Sequence, residues 1–198
     1  MKTDTAPPVW AEALLRFFLK PDVFASVSGD LLEQYRDSIH PVRGRLAADR
    51  WYVTQALGFV LRGARVWAAL FAGAFVARNV LDTLRPTTDF STRSEVSTAL
   101  ATGILLAAGF WTAWRSGSLV SGAAVGFATT AIASVLDIGG TAALLAMWHD
   151  PRSMAAIRGS GGLQEDFVLP VLLILPGVLI GGVGGVVGAT VRRLLRAG

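Results

Sequence analysis

The sequence predicts an all-α membrane protein, with a small cytoplasmic helical domain followed by a four-helix transmembrane bundle. Three observations point there. Of 198 residues, 53% are hydrophobic and only 16% are charged, against roughly 25% charged in a typical soluble domain. Long uncharged runs concentrate in residues 96–191. Fifteen of the 32 charged residues fall in positions 1–62, which instead show apolar residues at amphipathic helical spacing.

Composition excludes several classes. There is no cysteine, so disulfides, thiolate nucleophiles and cysteine-ligated metals are ruled out. The net charge is +4, from 16 arginines and two lysines against 14 acids. In a soluble chain that balance would suggest nucleic acid. Here the positive residues sit at the ends of apolar runs, so the bilayer is the expected partner and nucleic acid is not. The first 20 residues lack the apolar core and small-residue cleavage site of a signal peptide. The amino terminus is therefore expected in the cytoplasm.

Along the chain, Pro7 and Pro8 suit a helix start. Trp10, Leu14 and Phe17/Phe18 give a short amphipathic helix over 8–19. Pro21 restarts the chain, and Val23, Val27, Leu31 and Tyr35 step by four through a second helix over 22–38. His40, Pro41 and Gly44 mark a break. A third helix runs from near Leu46 to Arg62. Its basic residues and the aromatics Trp51 and Tyr52 suit a surface facing anionic lipid. Residues 1–62 are read as the prefix domain and 63–198 as the membrane domain.

Four spans follow. The first, 66–84, has an uncharged run of 12 residues, about 18 Å of helix. It must extend through Arg78, which pairs with Asp82 at i,i+4, or borrow from the helix before it. The second is 96–114. The third begins at Leu119 and is read as ending near Gly139–Gly140, with an interfacial stretch beyond. The fourth, 167–191, ends in Arg192, Arg193 and Arg196. With both termini inside, the inner side carries 13 basic residues and the outer side five: Arg78, Arg85, Arg93, Arg152 and Arg158. Trp67, Trp111, Trp114 and Trp148 lie near span ends, as an aromatic belt requires.

Small residues recur every four positions on each span. They are Ala69, Gly73, Ala77; Ala99, Gly103, Ala107; Gly122, Gly126, Thr130, Ser134; and Gly177, Gly181, Gly185, Ala189. Residues four apart share a helix face, and small ones let backbones approach closely. Gly122, Gly126, Gly177, Gly181 and Gly185 are the expected packing positions. Packing within the bundle is favoured over a homo-oligomeric contact. Pro176 interrupts the fourth span's hydrogen bonding and reads as a static kink.

Asp137 is the one acid with apolar sequence continuing on both sides of it. A midplane carboxylate would be an ion or proton site. Its place 18 residues past Leu119 favours anchoring at the outer interface. His40 and His149 are isolated. There is no HExxH pair, nucleophile elbow or phosphate loop. Gly-Ser-Gly-Gly at 159–162 reads as a flexible linker. No catalytic residue, cofactor or metal site is expected.

The segments PPVWAEALLRFFL (7–19), GDLLEQYRD (29–37) and RGRLAADRWYVTQALGF (43–59) together resemble the permease prefix domain, second type. That domain precedes the membrane part of large, duplicated orphan ABC permeases related to macrolide exporters. The resemblance covers about residues 7–62. It implies a cytoplasmic helical domain without catalytic residues, in an inner membrane, associated with export or its regulation. Those permeases continue for several hundred residues, whereas here three more spans follow the first. Within the prefix, Asp30, Glu33 and Asp37, with Tyr35 beside them, are the expected docking face for a cytoplasmic partner. A solvated helix surface is the plainer alternative.

The expected function is a non-enzymatic inner-membrane accessory or regulatory protein, associated with an ABC-type exporter. The alternative is a small ion- or proton-coupled transporter or channel using Asp137 and the kinked fourth span.

Overall fold

The computed structural model describes residues 6–85, 90–147 and 163–197. Trp148, His149, Arg152, Arg158 and the glycine-rich stretch 159–162 lie outside them. Among the described residues every regular element is helical.

Helix α1 (Val9–Phe18) follows Pro8, and α2 (Pro21–Glu33) begins on its own proline. The second helix does not stop at 38. It widens into a π-helical turn over Gln34–Ile39 and continues as α3 (His40–Arg43). Pro41 lies at the join. It has no N–H to return to the carbonyl four residues back, and its ring crowds that carbonyl. The His40 N–H instead reaches the Tyr35 carbonyl, five residues back. The true break is Gly44, whose φ of 76° is open to glycine at little cost.

From there α4 (Arg45–Leu84) runs 40 residues without interruption, about 60 Å. The prefix and the first span thus share one helix, and no turn separates residues 62 and 63. The short uncharged run at 66–77 lies inside this helix, which continues past it on both sides, back to Arg45 and on to Leu84. Helix α5 (Phe90–Ser116) leads through Gly117, at φ 79°, into α6 (Leu119–Met147). Helix α6 does not end at Gly139–Gly140. A Cβ on Gly140 would sit 3.2 Å from Val76 of α4, so glycine there serves a crossing rather than a stop.

Helices α7 (Leu163–Leu172) and α8 (Ile174–Ala197) are separated by one residue, Leu173. Pro176 accounts for the interruption, because the Leu172 carbonyl has no N–H to meet four residues on. The fourth span is therefore broken near its start.

Four helices, in α4, α5, α6 and α8, are long and apolar enough to cross a membrane. Helix α8 packs against both α5 and α6, and α4 packs against α6. Outward faces carry Leu70, Leu100, Val135, Leu179 and Val183, each more than half exposed. Such an apolar exterior is what a lipid solvent requires.

The prefix has its own core of Ala11, Leu15, Leu31, Tyr35, Ala48, Tyr52 and Ala56. Of the apolar residues that mark the helical spacing of the prefix, Trp10 and Val23 are exposed, as is Leu46. Leu14 and Phe18 pack instead against Val60, Ala64, Ala108 and Val125. Helix α1 is thus wedged between the prefix core and the bundle end. Tyr52 is enclosed rather than interfacial, packed edge-on to Tyr35.

Candidate functional site

Three places carry the sequence-predicted residues. The first is the glycine crossing. Gly122, Gly126, Gly177, Gly181 and Gly185 are all buried, at the contact of α6 with α8. A Cβ on Gly122 would lie 2.6 Å from the Gly181 carbonyl oxygen and from the Gly185 Cα. One on Gly181 would lie 2.6 Å from the Gly122 carbonyl oxygen. A Cβ on Gly126 would strike the Gly177 carbonyl, and one on Gly177 would strike Thr130. The other face of α8 meets α5 in the same way, Gly184 against Leu106 and Gly188 against Phe110. Without a hydrophobic drive in lipid, this backbone approach supplies the packing.

The stripes on α4 and α5 behave differently. Ala69, Gly73, Ala77, Ala99, Gly103 and Ala107 all face outward. A Cβ on Gly73 or Gly103 would meet nothing within 4 Å. Past the prefix core, the buried small residues of α4 include Ala64, Ala68 and Ala72, and those of α5 include Ala101, Ala108, Gly109 and Ala113.

The second place is a polar layer around the break in the fourth span. Asp137 is 7% exposed, and its position ten residues before the end of α6 is mid-helix, not terminal. It lines a hollow of about 20 Å³ with Arg78, Asn79, Pro170 and Leu173. That is room for about one water. Around it, the Asn79 amide donates to Thr141 Oγ1 at 3.0 Å. The Ser134 hydroxyl lies 2.8 Å from the Thr130 carbonyl and 2.5 Å from the Pro170 carbonyl. Hydroxyls of this kind satisfy backbone groups at an irregular helix in lipid. The expected Arg78–Asp82 pair is present at 3.5 Å. Arg93 of α5 also reaches Asp82 at 2.6 Å, and donates to the Arg85 carbonyl at 3.0 Å. Sequence spacing gave no sign of this cross-helix tie. The layer can hold one water and offer it a carboxylate, an amide and a guanidinium.

The third place is the prefix surface. Asp30, Glu33 and Asp37 are exposed and, with Gln34 and Ser38, line a shallow hollow of about 330 Å³. Tyr35 does not belong to it. Its side chain is fully buried, and its hydroxyl donates to Asp49 Oδ1 at 2.7 Å. Burial, reinforced by that hydrogen bond to a carboxylate, pushes the phenol up to about 12. Tyr35 follows Leu31 by four and shares its inward face, whereas Asp30, Glu33 and Asp37 fall on the exposed side of the helix. His40 packs beside it, ring centroids 5.9 Å apart.

Among the described residues no group of three or more His, Asp or Glu side chains could hold a metal. No protein family, curated protein or solved structure matches the chain. The resemblance of residues 7–62 therefore rests on the motifs quoted for it.

Proposed function

We propose that this protein is a non-enzymatic accessory or regulatory subunit of the bacterial inner membrane, with both termini cytoplasmic. Its prefix docks a cytoplasmic partner through Asp30, Glu33 and Asp37, and the partner system is an ABC-type exporter. The observation that carries this reading is the joining of an exposed acidic helical face to the membrane by one unbroken helix, α4. The prefix motifs support the export setting. The single-water size of the hollow beside Asp137 also favours it over solute passage.

The test uses the full chain in its native membrane. A permease should co-purify with it, and Asp30→Asn/Glu33→Gln/Asp37→Asn should lower recovery at least about tenfold, as for several interface charges. Recovery unchanged by that variant would sink the docking face. The second reading, a small proton- or ion-coupled transporter, is favoured by the burial of Asp137 beside the helix break. Flux in liposomes that disappears with Asp137→Asn would establish it instead.

A further inference from the structure

We propose that the protein carries a binding site for one anionic phospholipid, at the bundle end that bears the prefix. A groove of about 730 Å³ opens there between the α1–α2 junction, the middle of α4 and the C-terminal end of α5. Phe18, Trp67 and Trp111 form its apolar wall, and Lys20, Arg62 and Arg115 supply cations. A second hollow of about 310 Å³ shares Lys20 and Arg115 and adds Arg192 and Arg196. Among the described residues no carboxylate lines either hollow.

Two of the cations are held in place. The Arg62 guanidinium sits over the Phe59 ring, 4.5 Å from its centroid, and its Nε donates to the Gly58 carbonyl at 3.2 Å. Arg192 donates to the Arg115 carbonyl at 3.1 Å. Its guanidinium passes Gly117 so closely that a Cβ there would lie 2.5 Å from it. The groove itself has three cations, and the adjoining hollow that shares Lys20 and Arg115 adds two more.

The vertical order of these groups selects a lipid over a dissolved anion. On α4 the tryptophan follows the arginine by five residues, Arg62 to Trp67. On antiparallel α5 it precedes the arginine by four, Trp111 to Arg115. Each aromatic thus lies roughly 6–8 Å deeper along the span than its cation. Phosphate would meet Lys20, Arg62 and Arg115, while glycerol and the upper acyl chain would run along Trp67, Trp111 and Val66. Trp111 and Val66 are 51% and 59% exposed, so the groove opens sideways towards lipid. A free phosphate would use the cations and leave the apolar wall uncovered.

The test is tryptophan quenching by brominated lipid, with the full chain in phosphatidylcholine vesicles. Brominated phosphatidylglycerol should compete for the site on the order of tenfold better than brominated phosphatidylcholine, as several basic side chains near lipid imply. Lys20→Gln/Arg62→Gln/Arg115→Gln should abolish that preference. Arg43→Gln/Arg45→Gln/Arg50→Gln, which removes equal charge from the prefix surface, should keep it. Millimolar inorganic phosphate should leave quenching unchanged. Equal quenching by both lipids in the unmodified chain overturns the proposal whatever the variants do. So does equal loss in the control variant, which would mean diffuse surface charge. Release of the lipid by inorganic phosphate would assign the cations to a free anion and overturn it too.

Discussion

In the prefix, the enclosed groups are whole side chains: Leu15, Tyr35 and Tyr52 are at 0% exposure. In the bundle, the closest approaches are between backbones, Gly122 and Gly126 against Gly177, Gly181 and Gly185. Water explains the contrast. The prefix gains by taking large apolar surface out of water, about 1.5–3 kcal/mol for a fully buried large side chain. The bundle's surroundings are as apolar as its interior, so bulk confers little and fit confers much. One chain therefore holds two packing regimes, meeting where Leu14 and Phe18 rest on Val60, Ala64 and Val125.

The sharpest way to break this contrast is to place bulk in the glycine crossing. Gly181→Leu should cost more than about 3 kcal/mol, since neither facing backbone can withdraw. Thermal unfolding in detergent should then show no cooperative bundle transition. Gly103→Leu, on the outward face of α5, should leave that transition within a few degrees of the original. If both substitutions behave alike, backbone approach is not what holds the bundle.

The reverse operation belongs to the prefix. Tyr52→Ala removes a fully enclosed ring and should cost about 3 kcal/mol. Hydrogen exchange should show new opening in α1 and α2 while α8 keeps its protection. Loss of protection throughout would mean that the two regions unfold as one.

The mildest change is Tyr35→Phe, expected to cost about 1 kcal/mol for one hydrogen bond. It also alters the response to alkali. The folded phenol is held up at about 12, against an ordinary 10.0. Between those values the unfolded chain has lost a proton that the folded chain keeps, so stability falls as pH rises from about 10 to about 12. Below pH 10 the contribution is intact. Tyr35→Phe should flatten that decline in urea titrations; an unchanged slope would place its origin elsewhere.

The spans were legible because charge is scarce in them, and the α6–α8 crossing because glycine at period four has few other uses. The same rule misreads α4 and α5. Their alanine content puts small residues on several faces, and Ala64/Ala68/Ala72 is as regular a series as Ala69/Gly73/Ala77. Nothing local says which series meets a neighbour. Tyr35 lies in a run with Asp30, Glu33 and Asp37, but its step of four from Leu31 already puts it on the inward face, away from them. Asp137 was legible as unusual but not as enclosed, because Arg78, Asn79 and Pro170 reach it from distant parts of the chain. Trp10 leads the apolar spacing of the first helix, yet α1 has two apolar faces, and Ala11 and Leu15 take the inner one.

The length of α4 has a mechanical consequence. Roughly 60 Å of uninterrupted helix with no proline in it acts as a stiff lever. Its near end is gripped at Ala48, Tyr52 and Ala56, and its far end carries Arg78 and Asp82. Tilting the prefix by about five degrees would sweep that far end through about 5 Å at this length. An event at the prefix surface would thus be felt at the Arg93 tie and beside Asp137 as displacement, with no hinge between to absorb it.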